Sequence, residues 1–167
     1  MHTHQTSTNS QVSLANSKTV AMRLASPDDI PAIIELGRTM HNESTFAGMD
    51  YDPERVSSTL TKLIDQSQYV VVATDDGGQV IGGLVGMCTQ SWFGNDMVAN
   101  DLALFVHHDW RKSIAAEQLV LMFIHWAKLA GAKQIRPGVT TGDDRAEKLY
   151  QRMGFTRCGA SFVMEGV

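Results

Sequence analysis

The chain has 167 residues, of which 43% are hydrophobic and 19% charged, with a formal net charge of −4; this suits one domain with a real core and speaks against nonspecific nucleic-acid or membrane binding. Cys88 and Cys158 stand apart, giving neither a disulfide framework nor metal-ligand spacing. The apolar run over 119–130 is broken by His125 and Lys128, too short for a membrane span, and a polar start without an apolar core leaves a cytoplasmic protein as the expectation.

Residues 1–18 are rich in Ser, Thr, Asn, Gln and His with almost nothing to bury, which predicts a flexible polar tail ahead of one domain over 19–167. Residues 19–25 read as a short strand with Val20, Met22 and Leu24 on one face. Ser26-Pro27-Asp28-Asp29 starts a helix whose buried stripe is Ile30, Ile33, Ile34 and Gly37, ending near Met40. The loop over 41–52 carries His41, Glu43, Phe46, Met49 and Tyr51, which either line a pocket or pack downward. Asp52-Pro53-Glu54 then starts a second helix.

Three strands follow, over 68–74, 79–89 and 97–106, joined by Asp75-Asp76-Gly77-Gly78 and by a turn holding Trp92 and Phe93; this is an antiparallel meander. Gly82, Gly83 and Gly86 inside a strand signal close approach of other groups. A helix from Ser113 to Ala130 has a wide apolar face built on Leu119, Met122, Phe123, Trp126 and Ala127, and Gly131 ends it. The strand over 133–140 runs parallel to 97–106, and Pro137 leaves it unpaired on one side. Asp143 or Asp144 caps a last helix, with Glu147 at capping-box spacing from Asp144, and 155–165 makes the final strand or strands.

Chemistry concentrates over 101–116. An apolar strand ends in His107-His108-Asp109-Trp110, and the basic, small-residue loop Arg111-Lys112-Ser113-Ile114-Ala115-Ala116 opens into the long helix. Backbone N–H groups and a positive helix end meet there, which suits a phosphate-bearing ligand. His107 and His108 read as turn residues. A dinucleotide fold would want Gly-x-Gly-x-x-Gly after its first strand, and the sequence has none.

The order β-α-α-β-β-β-α-β-α-β, the strand Leu102-Ala103-Leu104-Phe105-Val106, the Arg111 loop, and Leu149-Tyr150-Gln151-Arg152-Met153-Gly154-Phe155 together resemble the GNAT superfamily of acetyl-CoA-dependent N-acetyltransferases. The likeness is greatest to a subset common in bacteria and phages. It implies an α/β (α+β) domain: a mixed, mostly antiparallel sheet of six to seven strands, a splayed central parallel pair, and about four flanking helices. It implies acetyl-CoA as cosubstrate, no metal, and direct attack by a primary amine. Leu104, Phe105 and Val106 would hold the pantetheine arm; Arg111, Lys112, Ser113, Ile114, Ala115 and Ala116 would hold the pyrophosphate. Tyr150 takes the place of the acid that protonates the thiolate.

Asp101 is the candidate base, with Glu43 and His41 as alternatives. By strict alternation Asp101 shares a sheet face with Ala103 and Phe105. One departure stands out: Ile114 occupies a position the family gives to glycine, so the loop either keeps right-handed geometry with Ile114 turned away or binds the cofactor weakly. A non-catalytic module that binds CoA or a protein on the same fold is the competing reading. The acceptor is open among polyamine, aminoglycoside, amino acid and protein amine. Family members are often dimers, so a homodimer is an expectation from the resemblance alone.

Overall fold

The structure, a computed structural model, describes residues 18–142, 144–164 and 166. The expectation for the N-terminal tail therefore lies almost wholly outside the described residues. The elements are β1 (Ala21–Leu24), α1 (Ile30–Asn42), α2 (Pro53–Asp65), β2 (Tyr69–Thr74), β3 (Val80–Gln90), β4 (Met97–Val106), α3 (Ala115–Leu129), β5 (Ala132–Arg136) and α4 (Arg145–Arg152). They form one sheet in the order β1-β2-β3-β4-β5, antiparallel except for the β4–β5 pair.

Local chemistry fixes the helix starts. Ser26 N and Oγ both donate to Asp29 Oδ2, and Arg23 grips the same carboxylate through Nη1 at 2.6 Å and Nη2 at 2.8 Å. Those contacts tie β1 to a short 3-10 turn that leads into α1. Asp52 caps α2 by accepting from Glu54 N. For α4, Asp144 makes no side-chain cap bond and instead pairs with Lys148 at 2.5 Å, while Asp143, the other expected cap, lies outside the described residues.

The sheet separates two cores. One, against α3 and α4, gathers Val71, Leu84, Leu119, Phe123, Leu149 and Tyr150; the other, against α1 and α2, gathers Ile33, Leu60, Val70, Val72 and Phe105. The strand glycines make room for this packing. A Cβ on Gly86 would lie 2.6 Å from the Phe123 ring, and one on Gly83 would lie 2.7 Å from the Phe105 ring. Leu24, at the end of the edge strand β1, is 71% exposed.

Two expectations are corrected. Among the described residues the sheet has five strands rather than six to seven, because 155–164 forms no strand and Phe162, Val163 and Met164 are exposed. The edge they would join is short: β5 pairs with β4 only from Ala132 to Arg136, and Pro137 then removes a donor. The second correction is the face of Asp101. β3 pairs Val85 with Ala103 but Gly86 with Asp101, so Leu102 is an extra residue in β4. A bulge of one residue turns the remainder of the strand over. Ala103 and Phe105 therefore pack on the α1–α2 side while Ala99 packs on the α3–α4 side, and Asp101 follows Ala99.

Candidate active site

The parallel pair opens as the sequence predicts. The β4–β5 ladder stops at Asn100–Arg136, and beyond it the two chains diverge around Pro137. Asp101 stands at the fork. Its Oδ1 accepts from Gly138 N at 2.8 Å, replacing a ladder partner, and its Oδ2 accepts from Tyr150 Oη at 3.1 Å. Burial pushes the Asp101 carboxyl above the ordinary carboxylate range, opposed by those two donors. Burial and the neighbouring carboxylate push the Tyr150 phenol far up, so it holds its proton firmly.

Past the fork lies a cavity of about 520 Å³ between β4, α1, the start of α3 and α4. His107 N donates to Ile81 O at 2.7 Å, which sets the alternation along β4. With Val106 opposite Gly82 and Leu104 opposite Leu84, the backbone groups of Leu104 and Val106 point into the splay, while those of Phe105 serve the ladder with Gly83. The roof is closed by the loop after α1: Thr45 N donates to Thr140 O, and Ser44 bridges to Thr141.

Six of the nine expected cofactor residues line this cavity: Leu104, Phe105, Val106, Arg111, Ser113 and Ala116. Lys112 is exposed and outside the lining, and Ala115 is fully buried behind it. Ile114 is 53% exposed and also outside, with φ −76° and ψ 0°. The loop thus keeps right-handed geometry with Ile114 turned away. Ser113 Oγ accepts from Ala115 N, and the next N–H groups of α3, at Ala116 and Glu117, sit in the cavity wall. Arg111 is already engaged: Nη2 meets Glu43 Oε2 at 2.6 Å and Nε donates to Val106 O at 3.2 Å.

That ion pair occupies Glu43, one of the alternative bases. His41 packs on Tyr51 at 5.2 Å and does not line the cavity; Tyr51 itself folds back onto α1, donating to Ile34 O. Trp92 and Phe93 touch each other at the β3–β4 turn and are 94% and 77% exposed. Asp101 and Tyr150 lie beyond the cavity's inner end, next to Leu149 in sequence and three residues before Leu104. His107 and His108 form the expected turn, a short 3-10 segment over His108–Trp110 capped by His107, and both also line the cavity. With Asp109 they form the group among the described residues whose ligand atoms lie within 4.8 Å of one another, a spacing a metal ion could bridge. Also missed was the α4 wall of Arg145, Lys148 and Arg152. Its signal, basic residues at i, i+3 and i+7, was present in the sequence.

Comparison with known proteins bears on this arrangement. No curated protein matches the chain significantly. Among solved structures, a transcriptional regulator from Bacillus halodurans C-125 superposes with a TM-score of 0.73 at 19% identity, covering 89% of this chain and 100% of that one. A ribosomal-protein-alanine N-acetyltransferase from Brucella melitensis biovar Abortus 2308 gives 0.69 at 16%, covering 89% and 100%. An aminoglycoside acetyltransferase from an uncultured soil metagenomic sample, solved with sisomicin, gives 0.64 at 19%, covering 91% and 97%. At these identities the likeness is one of fold. The family profile described as "Acetyltransferase (GNAT) domain" matches residues 66–157, more than half of the chain and every element from β2 to α4. The chain therefore belongs to the GNAT acetyltransferase family and is an acyltransferase by that membership.

Proposed function

We propose that the protein transfers an acetyl group from acetyl-CoA to a primary amine. One observation carries the reading: the strand pair opens at Asp101, so the inward-facing backbone groups of Leu104 and Val106 border a cavity instead of a neighbouring strand. An extended chain bearing amides can complete the ladder that β5 leaves. The residues fit the cosubstrate. Leu104 offers its N–H and carbonyl to the pantetheine arm, Val106 offers its N–H while its carbonyl is held by Arg111, and the first turn of α3 offers N–H groups to the phosphates. Acetyl-CoA supplies the activated acyl group as a thioester.

The chain's own acid–base groups are Asp101 and Tyr150. Asp101 is poised by burial to accept the amine's proton at Oδ2, and Tyr150 Oη can give its proton to the leaving thiolate only as Asp101 passes one back across their hydrogen bond. Their direct hydrogen bond makes them one unit, so their protonation is coupled. The bulge at Leu102 supports the assignment, since without it the carboxylate would lie on the α1–α2 face, away from Tyr150.

A thiol-release assay across a panel of polyamines, aminoglycosides, amino acids and peptide amines tests this. Wild type should release CoA thiol with at least one class. Tyr150→Phe should lower turnover by about 10²-fold with CoA binding nearly intact, and unchanged turnover would remove Tyr150 from the chemistry. Tight CoA binding without release on any amine would favour a non-catalytic module.

A further inference from the structure

The acetyl-CoA reading leaves a charge to be matched. CoA carries a pyrophosphate and, on its ribose, a 3′-phosphomonoester with up to two charges. The Arg111 loop is poor in side-chain cations for them: Arg111 is held by Glu43 and by the Val106 carbonyl, and Lys112 lies outside the lining. The N–H groups at the start of α3 can take one phosphate group. Another source of positive charge is needed for the rest.

It stands on the opposite wall. Arg145, Lys148 and Arg152 occur at i, i+3 and i+7 of α4, so they share one stripe, and all three line the cavity. The inward side of the helix is taken by Ala146, Leu149, Tyr150 and Met153, all part of or packed on the core; the basic stripe runs beside it. Lys148 pairs with Asp144, its neighbour one turn back, and both side chains are more than 60% exposed. An exposed pair of that kind is weak and easily exchanged for a phosphate oxygen. In a protein of net charge −4, three cations along one cavity wall are a local reversal of sign.

Resting on the acetyl-CoA reading, we infer that the α4 stripe binds the 3′-phosphate of CoA, with Lys148 and Arg152 as its main contacts. Pyrophosphate and 3′-phosphate are thus held by different elements, α3 through backbone N–H groups and α4 through side chains. This relieves the loop of the glycine that Ile114 displaces, since the second anchor offsets a plainer phosphate loop.

The experiment compares equilibrium binding of CoA and 3′-dephospho-CoA to wild type, Lys148→Gln, Arg152→Gln and the double variant. Glutamine keeps helix propensity, and thermal melts show whether each variant is folded. Wild type should prefer CoA by about tenfold or more, and each single variant should lose about three- to tenfold for CoA alone. The double variant should bind the two ligands within about twofold of each other, with dephospho-CoA affinity unchanged from wild type. Raising salt should erode the wild-type preference and leave that of the double variant flat. Equal losses for both ligands, or a preference that survives in the double variant, overturns the inference. A wild type that binds both equally also overturns it and leaves the acetyl-CoA reading standing; a wild type that binds neither sinks both.

Discussion

Tyr150 on α4 donates to Asp101 on β4 across 3.1 Å, joining residues 49 positions apart at the point where the two parallel strands separate. The same carboxylate accepts from Gly138 N, so it both stitches the fork and holds the Tyr150 phenol three residues before Leu104, which lines the cavity.

This double duty predicts a trade between stability and activity at Asp101. Burial raises its pKa in the folded state, so the unfolded chain gives up that proton more readily. The carboxyl therefore costs nothing at low pH and subtracts stability as pH rises from its unfolded value through its folded one. Asp101→Asn keeps an acceptor for Gly138 and removes the charge. It should melt at or above the wild-type temperature at neutral pH while turnover falls by about 10²-fold. A variant that loses stability and activity together would mark Asp101 as a structural residue only. In the wild type, turnover should climb with pH through a carboxyl titrating above the usual range, and Tyr150→Phe, which removes a donor to the carboxylate, should move that limb upward.

The Glu43–Arg111 pair makes a second test. Glu43 neutralises the cation nearest the phosphate end of the cavity, and both groups are partly exposed. Glu43→Gln should tighten CoA binding by about two- to fivefold at low salt, an advantage that fades as ionic strength rises. Weaker CoA binding in this variant would show that the pair serves to position Arg111 instead.

Gly86→Ala probes the packing behind the site. The added Cβ would meet the Phe123 ring at 2.6 Å and the Asn100 carbonyl at 3.1 Å. Backbone cannot yield as a side chain can, so about 1–3 kcal/mol of stability should be lost, measured by denaturant unfolding. A neutral change would mean that Phe123 has room to swing away.

Asp29 gives a test at low pH. Its hydrogen bonds from Arg23, aided by Ser26, hold its carboxyl down to about 2. A lowered pKa means stabilisation that is present above the ordinary carboxylate value and lost as pH falls toward about 2. With Arg23 46% exposed the contribution is discounted, and Asp29→Asn should cost about 1–2 kcal/mol at neutral pH. The difference from wild type should shrink on acidification; a difference that does not change with pH would assign the effect to packing.

The local signals in the sequence were sound where one element decides its own structure. Ser26 and Asp52 mark helix starts, Gly131 and Gly154 follow helix ends in positive φ, and the helical repeat of Leu119, Phe123 and Ala127 is a buried stripe. Pro137 foretold the fork because the loss of one N–H is a covalent fact. The motif around Tyr150 placed the phenol on α4, inside the family profile.

Tertiary structure decided what depends on one residue of register or on a partner's surface. Nothing in Asp-Leu-Ala-Leu-Phe-Val says that Leu102 is extra; the bulge exists only against Val85 and Gly86, and it alone carries Asp101 to the side of Tyr150. Whether 155–164 adds strands depended on the edge offered by β5, five residues long. Which loop residues meet the cavity was set by how α3 leaves β4, turning Lys112 and Ile114 out and burying Ala115. Periodicity along a chain names faces. Pairing between chains sets which way those faces look.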